Sequence, residues 1–402
     1  MKFIKFFSIF LTILIFCLSN NLSALTIKNT EFDLNVKSAV LIDAYTGTIL
    51  YEKNMNESLP PASVTKIMTL LLVFEAIENG KLKYDDFLTT SENAASMGGS
   101  QVFLEPGEEM SVEELLKCVI IASANDAALT LAEHVAGSED AFVANMNKRA
   151  SELGMKNTNF ENVTGLDDDV HNHTTSAYDI ALMSKELLKH TDVQKYTTIW
   201  MDTIRNGEFG LSNTNRLIKF YRGITGLKTG YTSKAGYCIS ASAQRENLHL
   251  IAVIMGAPTS NERNIAATKL LEYGFSNYRV FHDKKQDCGE IKVLKGKREA
   301  ISIGYNDLQL LENTGNEFKI TKEIVLNESI NAPVKLGTEV GKVIYKLDNK
   351  VIGENKIIAL ESCEQINFMD YFLIALKKYF LIWKKYKKLL NFQVTCSIIY
   401  KV

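Results

Sequence analysis

Up to about residue 200, apolar positions follow the helical period, and strand-like alternation is confined to the start. Ser38–Asp43 and Thr48–Glu52 read as two strands around a turn containing Gly47. Ser63 then opens a helix whose body, Ile67–Phe74, is apolar nearly all round, the pattern of a helix at the centre of a domain. Ser111-Val-Glu-Glu114 is a capping box that starts a helix over Leu115–Ile121. Asn125–Ala136 and Ser138–Leu153 are further helices, stopped by Gly137 and Gly154, and Ser176–His190 is another with Asp179 in its first turn. Strand signals return near Lys228. Gly236–Ala243 and Leu248–Gly256 are apolar runs joined by Gln244–Asn247, a second hairpin. Asn261–Tyr273 is helical, and Gly274 is expected to end it. Strands at both ends enclosing helices predict an α+β fold, one antiparallel sheet with a helical block against it.

The pattern changes after about residue 280. Glu290–Leu294, Glu317–Leu326, Val340–Leu347 and Val351–Leu360 are short and rich in Ile and Val, with a tight turn at Asp348-Asn349. They predict a small all-β domain. Within Phe368–Leu390, Asp370, Lys377, Lys384 and Lys388 fall near one helical face, with Tyr371, Phe372, Leu376, Tyr379, Phe380 and Trp383 filling the other side. That pattern fits a helix lying in a membrane surface, its lysines drawn to anionic lipids. At the other end, Lys2 and Lys5 precede the apolar run Phe6–Leu18, and Leu22-Ser23-Ala24 offers a cleavage site. The run is short for a spanning helix, so it reads as a secretory signal. The expected organisation is a signal peptide over 1–24, a catalytic domain over 25–280, a β domain over 281–365, an amphipathic membrane-anchoring helix over 366–390, and an unassigned tail over 391–402.

Composition narrows the partners. The 402 residues carry a formal net charge of -2, so a basic surface for nucleic acid is not expected. Of the cysteines, Cys17 follows the bulky Phe16, which argues against lipid attachment. The remaining five (Cys118, Cys238, Cys288, Cys363 and Cys396) form no C-x-x-C pair, and their odd number and scattered spacing argue against a disulfide framework.

Three short motifs carry the chemistry. Ser63-Val-Thr-Lys66 puts a hydroxyl and an amine one helical turn apart, where the amine can take the hydroxyl's proton. Ser123-Ala124-Asn125 lies in a loop between two helices. Lys228-Thr229-Gly230, preceded by Gly226, stands at the start of a strand hairpin. Separately, each has an ordinary reading: a helix cap, a solvated turn, a surface lysine. Together, in this order and behind a signal peptide, they point to a serine enzyme.

The order is that of the serine penicillin-binding proteins and β-lactamases. Pro61–Thr69, Ser123–Ala127, Gly226–Thr232 and Ala235-Gly236-Tyr237 resemble a secreted D-alanyl-D-alanine carboxypeptidase, the low-molecular-mass penicillin-binding protein of peptidase S11 type. The resemblance covers roughly residues 35 to 280. It implies a β-lactamase/transpeptidase-like catalytic domain, with the β domain and amphipathic tail in the family's usual layout. It also implies roles. Ser63 would attack the carbonyl of the penultimate D-alanine of a peptidoglycan stem, and Lys66, its pKa lowered by burial and by Lys228, would be the base. Ser123 would relay protons to the departing D-alanine. Asn125 would hold Lys66 and the substrate amide. Lys228, Thr229 and Arg263 would bind the terminal carboxylate, and the backbone N–H groups of Ser63 and Tyr231, next to Gly230, would form the oxyanion hole. β-Lactams would acylate the same serine and leave slowly. The implied enzyme is extracytoplasmic, on the outer face of the cell membrane.

Two positions depart from the family pattern. Tyr231 stands where histidine is frequent, and Ala124 where Gly or Asp is frequent. Neither removes a group the chemistry needs. Asp167-Asp168-Asp169 with His171 and His173 has ligand-type residues, but nothing in the mechanism needs a metal, so no metal or cofactor is expected. The rival readings are a β-lactamase, for which Glu161 would be the second carboxylate, a D,D-endopeptidase of the same superfamily, and an inactive wall-binding protein.

Overall fold

The computed structural model describes residues 34–167 and 170–399. The signal segment expected over 1–24, Asp168 and Asp169 lie outside the described residues. The described chain divides into two units, residues 34–280 with 311–315, and residues 281–310 with 316–399.

In the first unit, β1 (Ser38–Asp43), β2 (Ile49–Lys53), β3 (Ile224–Thr232), β4 (Gly236–Arg245) and β5 (Leu248–Ala257) form one sheet in the order β2-β1-β5-β4-β3. Every pairing is antiparallel. Successive side chains on a strand point to opposite faces. Val40, Ile42, Ile251 and Val253 therefore meet the helical block, while Ala39, Leu41, Leu250 and Ala252 meet the other face. A sheet covered on both sides needs apolar residues at every position, which explains why β4 and β5 read as continuous runs.

α1 (Lys66–Glu78) has nine buried residues and sits inside the helical block, as its all-round apolar sequence requires. α2 (Asn125–Ala136) ends at Gly137 in the left-handed region. α3 (Glu139–Glu152) and α4 (Ala177–Leu187) start with Ser138 and Ser176 accepting from the third residue of each helix. α5 (Ser260–Asn277) packs on the opposite face and does not stop at Gly274. A Cβ on that residue would sit 2.4 Å from Leu250 Cδ1 and 3.1 Å from Leu41 Cδ2, so the glycine allows close approach to the sheet. A short hairpin, Met201–Ile204 with Phe209–Ser212, interrupts the stretch before β3. Its four-residue arms are too short to give a periodic signal.

In the second unit, β6 (Gln286–Leu294), β7 (Ala300–Tyr305), β8 (Thr321–Leu326), β9 (Ser329–Asn331), β10 (Glu339–Leu347) and β11 (Lys350–Ala359) form a sheet in the order β8-β10-β11-β7-β6-β9. Only β6 and β9 run parallel. Ile291, Ile301, Ile303, Val343, Tyr345 and Ile357 form its core. Asp348 and Asn349, both with positive φ, make the β10–β11 turn. α6 (Phe368–Ile399) carries exposed Phe368, Tyr371, Phe372, Tyr379, Phe380 and Trp383, and continues nine residues past the predicted end at 390. No helix among the described residues is long and apolar enough to cross a membrane.

Candidate active site

Ser63 lies in a single 3-10 turn, Ala62–Thr65, that runs straight into α1. The turn is set from below by Gly165, where a Cβ would fall 1.9 Å from the Ala62 carbonyl oxygen. It is set from the side by Gly230 of β3, where a Cβ would lie 2.9 Å from Ser63 N and 3.0 Å from Pro61 O. The third motif's glycine is thus what lets the strand edge lie against the Ser63 backbone. Lys228-Thr229-Gly230 occupies the later part of β3, not its start, because the strand begins at Ile224.

Lys66 is fully buried and meets three groups. Its Nζ is 3.1 Å from Ser63 Oγ, 2.5 Å from Asn125 Oδ1 and 2.8 Å from the Thr164 carbonyl oxygen. Asn125, the first residue of α2, is oriented by its own Nδ2, which donates to the Gly98 carbonyl at 2.6 Å. Burial first, and the like charge of Lys228 second, hold the Lys66 amine well below the ordinary lysine range; Asp126 pulls weakly the other way. Asp126 is itself buried, accepting from the backbone N–H groups of Val102 and Leu104.

Ser123 sits at φ 64°, ψ 29°, after a wide turn over Cys118–Ala122. A left-handed conformation is uncommon for serine, and such outliers cluster at functional sites. Its hydroxyl is buried and has no hydrogen-bond partner among the described residues. A buried orphan hydroxyl carries a desolvation cost of about 1–3 kcal/mol that a bound ligand group would relieve.

Lys228 and Arg263 are both buried, at 2% and 5% exposure. Burial and then the Arg263 charge push Lys228 down to about 7, and burial brings Arg263 down to about 10. Two desolvated cations, neither paired with a carboxylate among the described residues, form an anion site. Thr229 Oγ1 donates to Thr214 Oγ1 at 2.8 Å, and Thr214 N donates to the Ile121 carbonyl at 3.1 Å. Thr214 therefore ties the turn before Ser123 to the third motif. The aromatic ring of Tyr231 is exposed and stacks on Tyr237, with centroids 4.3 Å apart.

Lys66 meets both Ser63 and Asn125, Gly230 lies against the Ser63 backbone, and the Arg263 charge acts on Lys228. Sequence reasoning missed the carbonyls of Gly98 and Thr164, and Thr214. Backbone acceptors leave no trace in residue identity, and Thr214 lies in the loop that follows a hairpin too short to be legible. Glu161 is engaged elsewhere: its Oε2 accepts from the N–H groups of His171 and Asn172, both at 3.0 Å. His173 Nδ1 accepts from Glu161 N at 3.0 Å, which leaves Nε2 to donate to Thr65 Oγ1 at 2.8 Å. Among the described residues no cluster of three or more His, Cys, Asp or Glu could hold a metal ion.

A family profile for D-alanyl-D-alanine carboxypeptidases matches residues 24–259, and one for the penicillin-binding protein 5 C-terminal domain matches residues 275–365. The first covers more than half of the chain, which therefore belongs to the S11 peptidase family of D-alanyl-D-alanine carboxypeptidases. It is similar to D-alanyl-D-alanine carboxypeptidase DacF of Bacillus subtilis (strain 168), 46% identical over 90% of this chain and 93% of that one. In structure it is similar to penicillin binding protein 5 from Haemophilus influenzae, with a TM-score of 0.72 and 32% identity, covering 84% of this chain and 100% of that one. It also resembles the ampicillin-bound penicillin-binding protein D2 from Listeria monocytogenes, with a TM-score of 0.56 and 32% identity, over 61% and 99%. The chain is thus a serine D-alanyl-D-alanine carboxypeptidase, a penicillin-binding protein acting in peptidoglycan metabolism.

Proposed function

We propose that Ser63 removes the terminal D-alanine from pentapeptide stems through an acyl-enzyme, with Lys66 as base. The observation that carries this is the coordination of Lys66 Nζ by Ser63 Oγ, Asn125 Oδ1 and Thr164 O. A neutral amine has two hydrogens and one lone pair. Two of its partners are pure acceptors, and the third is a hydroxyl able to donate. The environment fits an amine that accepts from Ser63. As Oγ bonds to the penultimate carbonyl carbon, its proton passes to Lys66 Nζ. The oxyanion is held by the N–H groups of Ser63 and Tyr231. The C–N bond then breaks, and the leaving nitrogen takes a proton through Ser123. Water, deprotonated along the same path, adds to the ester carbonyl and releases Ser63.

Lys228, Thr229 and Arg263 receive the terminal carboxylate, and Asn125 keeps a second Nδ2 hydrogen for the substrate amide. A β-lactam presents a similar carboxylate and acyl group, so it acylates the same serine. The ampicillin-bound relative supports this reading. Glu161, the carboxylate a β-lactamase would need for fast deacylation, is engaged by the backbone donors of His171 and Asn172, which favours slow loss of the acyl group. The basic face and exposed aromatic residues of α6 support attachment to the outer face of the membrane after secretion. A wall-trimming role bearing on cell shape accords with this placement.

The test is labelling with a fluorescent penicillin. Ser63→Ala and Lys66→Ala are expected to take up no label, and undiminished labelling of Lys66→Ala would remove Lys66 from the role of base. An inactive wall-binding protein would release no D-alanine even as wild type.

A further inference from the structure

Burial alternates strictly through residues 211–217: Leu211, Asn213, Asn215 and Leu217 are buried, while Ser212, Thr214 and Arg216 are exposed. The inward residues fix the segment. Asn213 Nδ2 donates to the Ile199 carbonyl at 2.8 Å, and Asn215 Nδ2 donates to the Gly226 carbonyl at 3.3 Å while its Oδ1 accepts from Leu217 N. Between them Thr214 accepts from Thr229, the threonine of the carboxylate site. Arg216 follows two residues later, exposed, and among the described residues no carboxylate is paired with it. The stretch from Asn213 to Gly223 contains no Asp or Glu, and adds Lys219 and Arg222 to the same charge.

We propose that Arg216 is a further substrate-positioning residue, a surface cation that captures the substrate's terminal carboxylate before Arg263 and Lys228 bind it. The proposal rests on the reading of Lys228, Thr229 and Arg263 as the carboxylate site. Three cations form a series from interior to surface. Arg263 acts on Lys228, and Arg216 on Arg263. An anion approaching such a series meets a potential that grows more favourable inward, and a low-dielectric wall focuses that field. The buried pair must shed water to bind, whereas exposed Arg216 attracts the ligand without that cost. Its contribution belongs to the rate of association and is open to salt screening.

The experiment measures the second-order rate of acylation by an anionic fluorescent penicillin on the full chain, for wild type, Arg216→Gln, Arg216→Lys and Arg216→Glu. At an ionic strength of about 0.01 M, Gln is expected to slow acylation about fivefold and Glu more than about tenfold, with Lys within about twofold of wild type. At about 1 M all four should agree within about twofold, with unchanged loss of the acyl group. In competition with the penicillin, Gln should weaken a peptide ending in D-alanine but not the same peptide ending in D-alaninamide. Wild-type rates for Gln at low salt, or a deficit that salt does not remove, would overturn the proposal. Failure of the wild type itself to be acylated would instead overturn the carboxylate-site reading beneath it.

Discussion

A lysine can serve as a base only where its ammonium form is disfavoured, and Lys66 has two reasons for that: complete burial and a second cation nearby. Lys228 pays the complementary cost, since near 7 it is close to losing the charge that would bind a carboxylate. These opposite needs predict a bell-shaped dependence of kcat/KM on pH. The ascending limb follows proton loss from Lys66, and the descending limb follows proton loss from Lys228. Lys228→Arg keeps its charge at high pH, so the descending limb should move upward by more than about one unit. An unmoved limb would assign it to another group. Gly230 yields a steric prediction. Gly230→Ala places a methyl group 2.9 Å from Ser63 N and should slow acylation by about 100-fold or more while leaving the fold intact. Acylation at the wild-type rate would show that β3 can withdraw freely from Ser63. At this scale the sequence shows side chains that act through their own atoms. Ser63, Lys66, Ser123, Asn125 and Lys228 stand out by type and spacing, whereas the carbonyls of Thr164 and Gly98 belong to residues that nothing in the chain marks.

At the level of elements, legibility followed the strength of the local signal. α2 was legible to the residue because Ala124 and Gly137 bound it, and Ser111, Ser138 and Ser176 each cap the helix they announce. α5 was misread at Gly274 because a glycine that ends a helix and one that lets a helix approach a sheet look alike until the neighbours, Leu250 and Leu41, are known. The loop that carries Glu161 and His173 was recognisable only in part, since one of its ties is a buried imidazole. His173 bonds to both Glu161 N and Thr65 Oγ1, and burial lowers its pKa to about 4. Between about pH 6.5 and 4 the unfolded chain binds a proton there that the folded chain does not, so stability falls as pH drops through that window. The upper bound on this loss is about 3 kcal/mol. His173→Gln can keep a donor and an acceptor without titrating. Denaturant unfolding should therefore show a smaller loss of stability between pH 7 and 4.5 in the variant than in wild type. An identical loss would place the titration elsewhere, for instance at His249, which is also lowered to about 4 by burial.

For the molecule as a whole, the chain carries a catalytic unit, a β unit and a helix with exposed aromatic residues. The α+β class was readable from strands at both ends of the first unit and the helices between them. The sheet order was not, because β1 pairs with β5 across more than 200 residues and no local pattern encodes that distance. Deleting residues 368–402 should leave D-alanine release from a soluble pentapeptide within about twofold while freeing the protein from sedimenting membranes. Continued sedimentation would exclude α6 as the anchor. The central claim is that Ser63 forms an acyl-enzyme that water resolves quickly for a stem peptide and slowly for a β-lactam. Its most direct test is D-alanine release from a defined pentapeptide muropeptide, with and without one equivalent of benzylpenicillin. The expected result is one D-alanine per stem from wild type, none from Ser63→Ala, and arrest by the equimolar penicillin with its acyl group retained on Ser63. Rapid turnover of the penicillin with no D-alanine released would contradict the account.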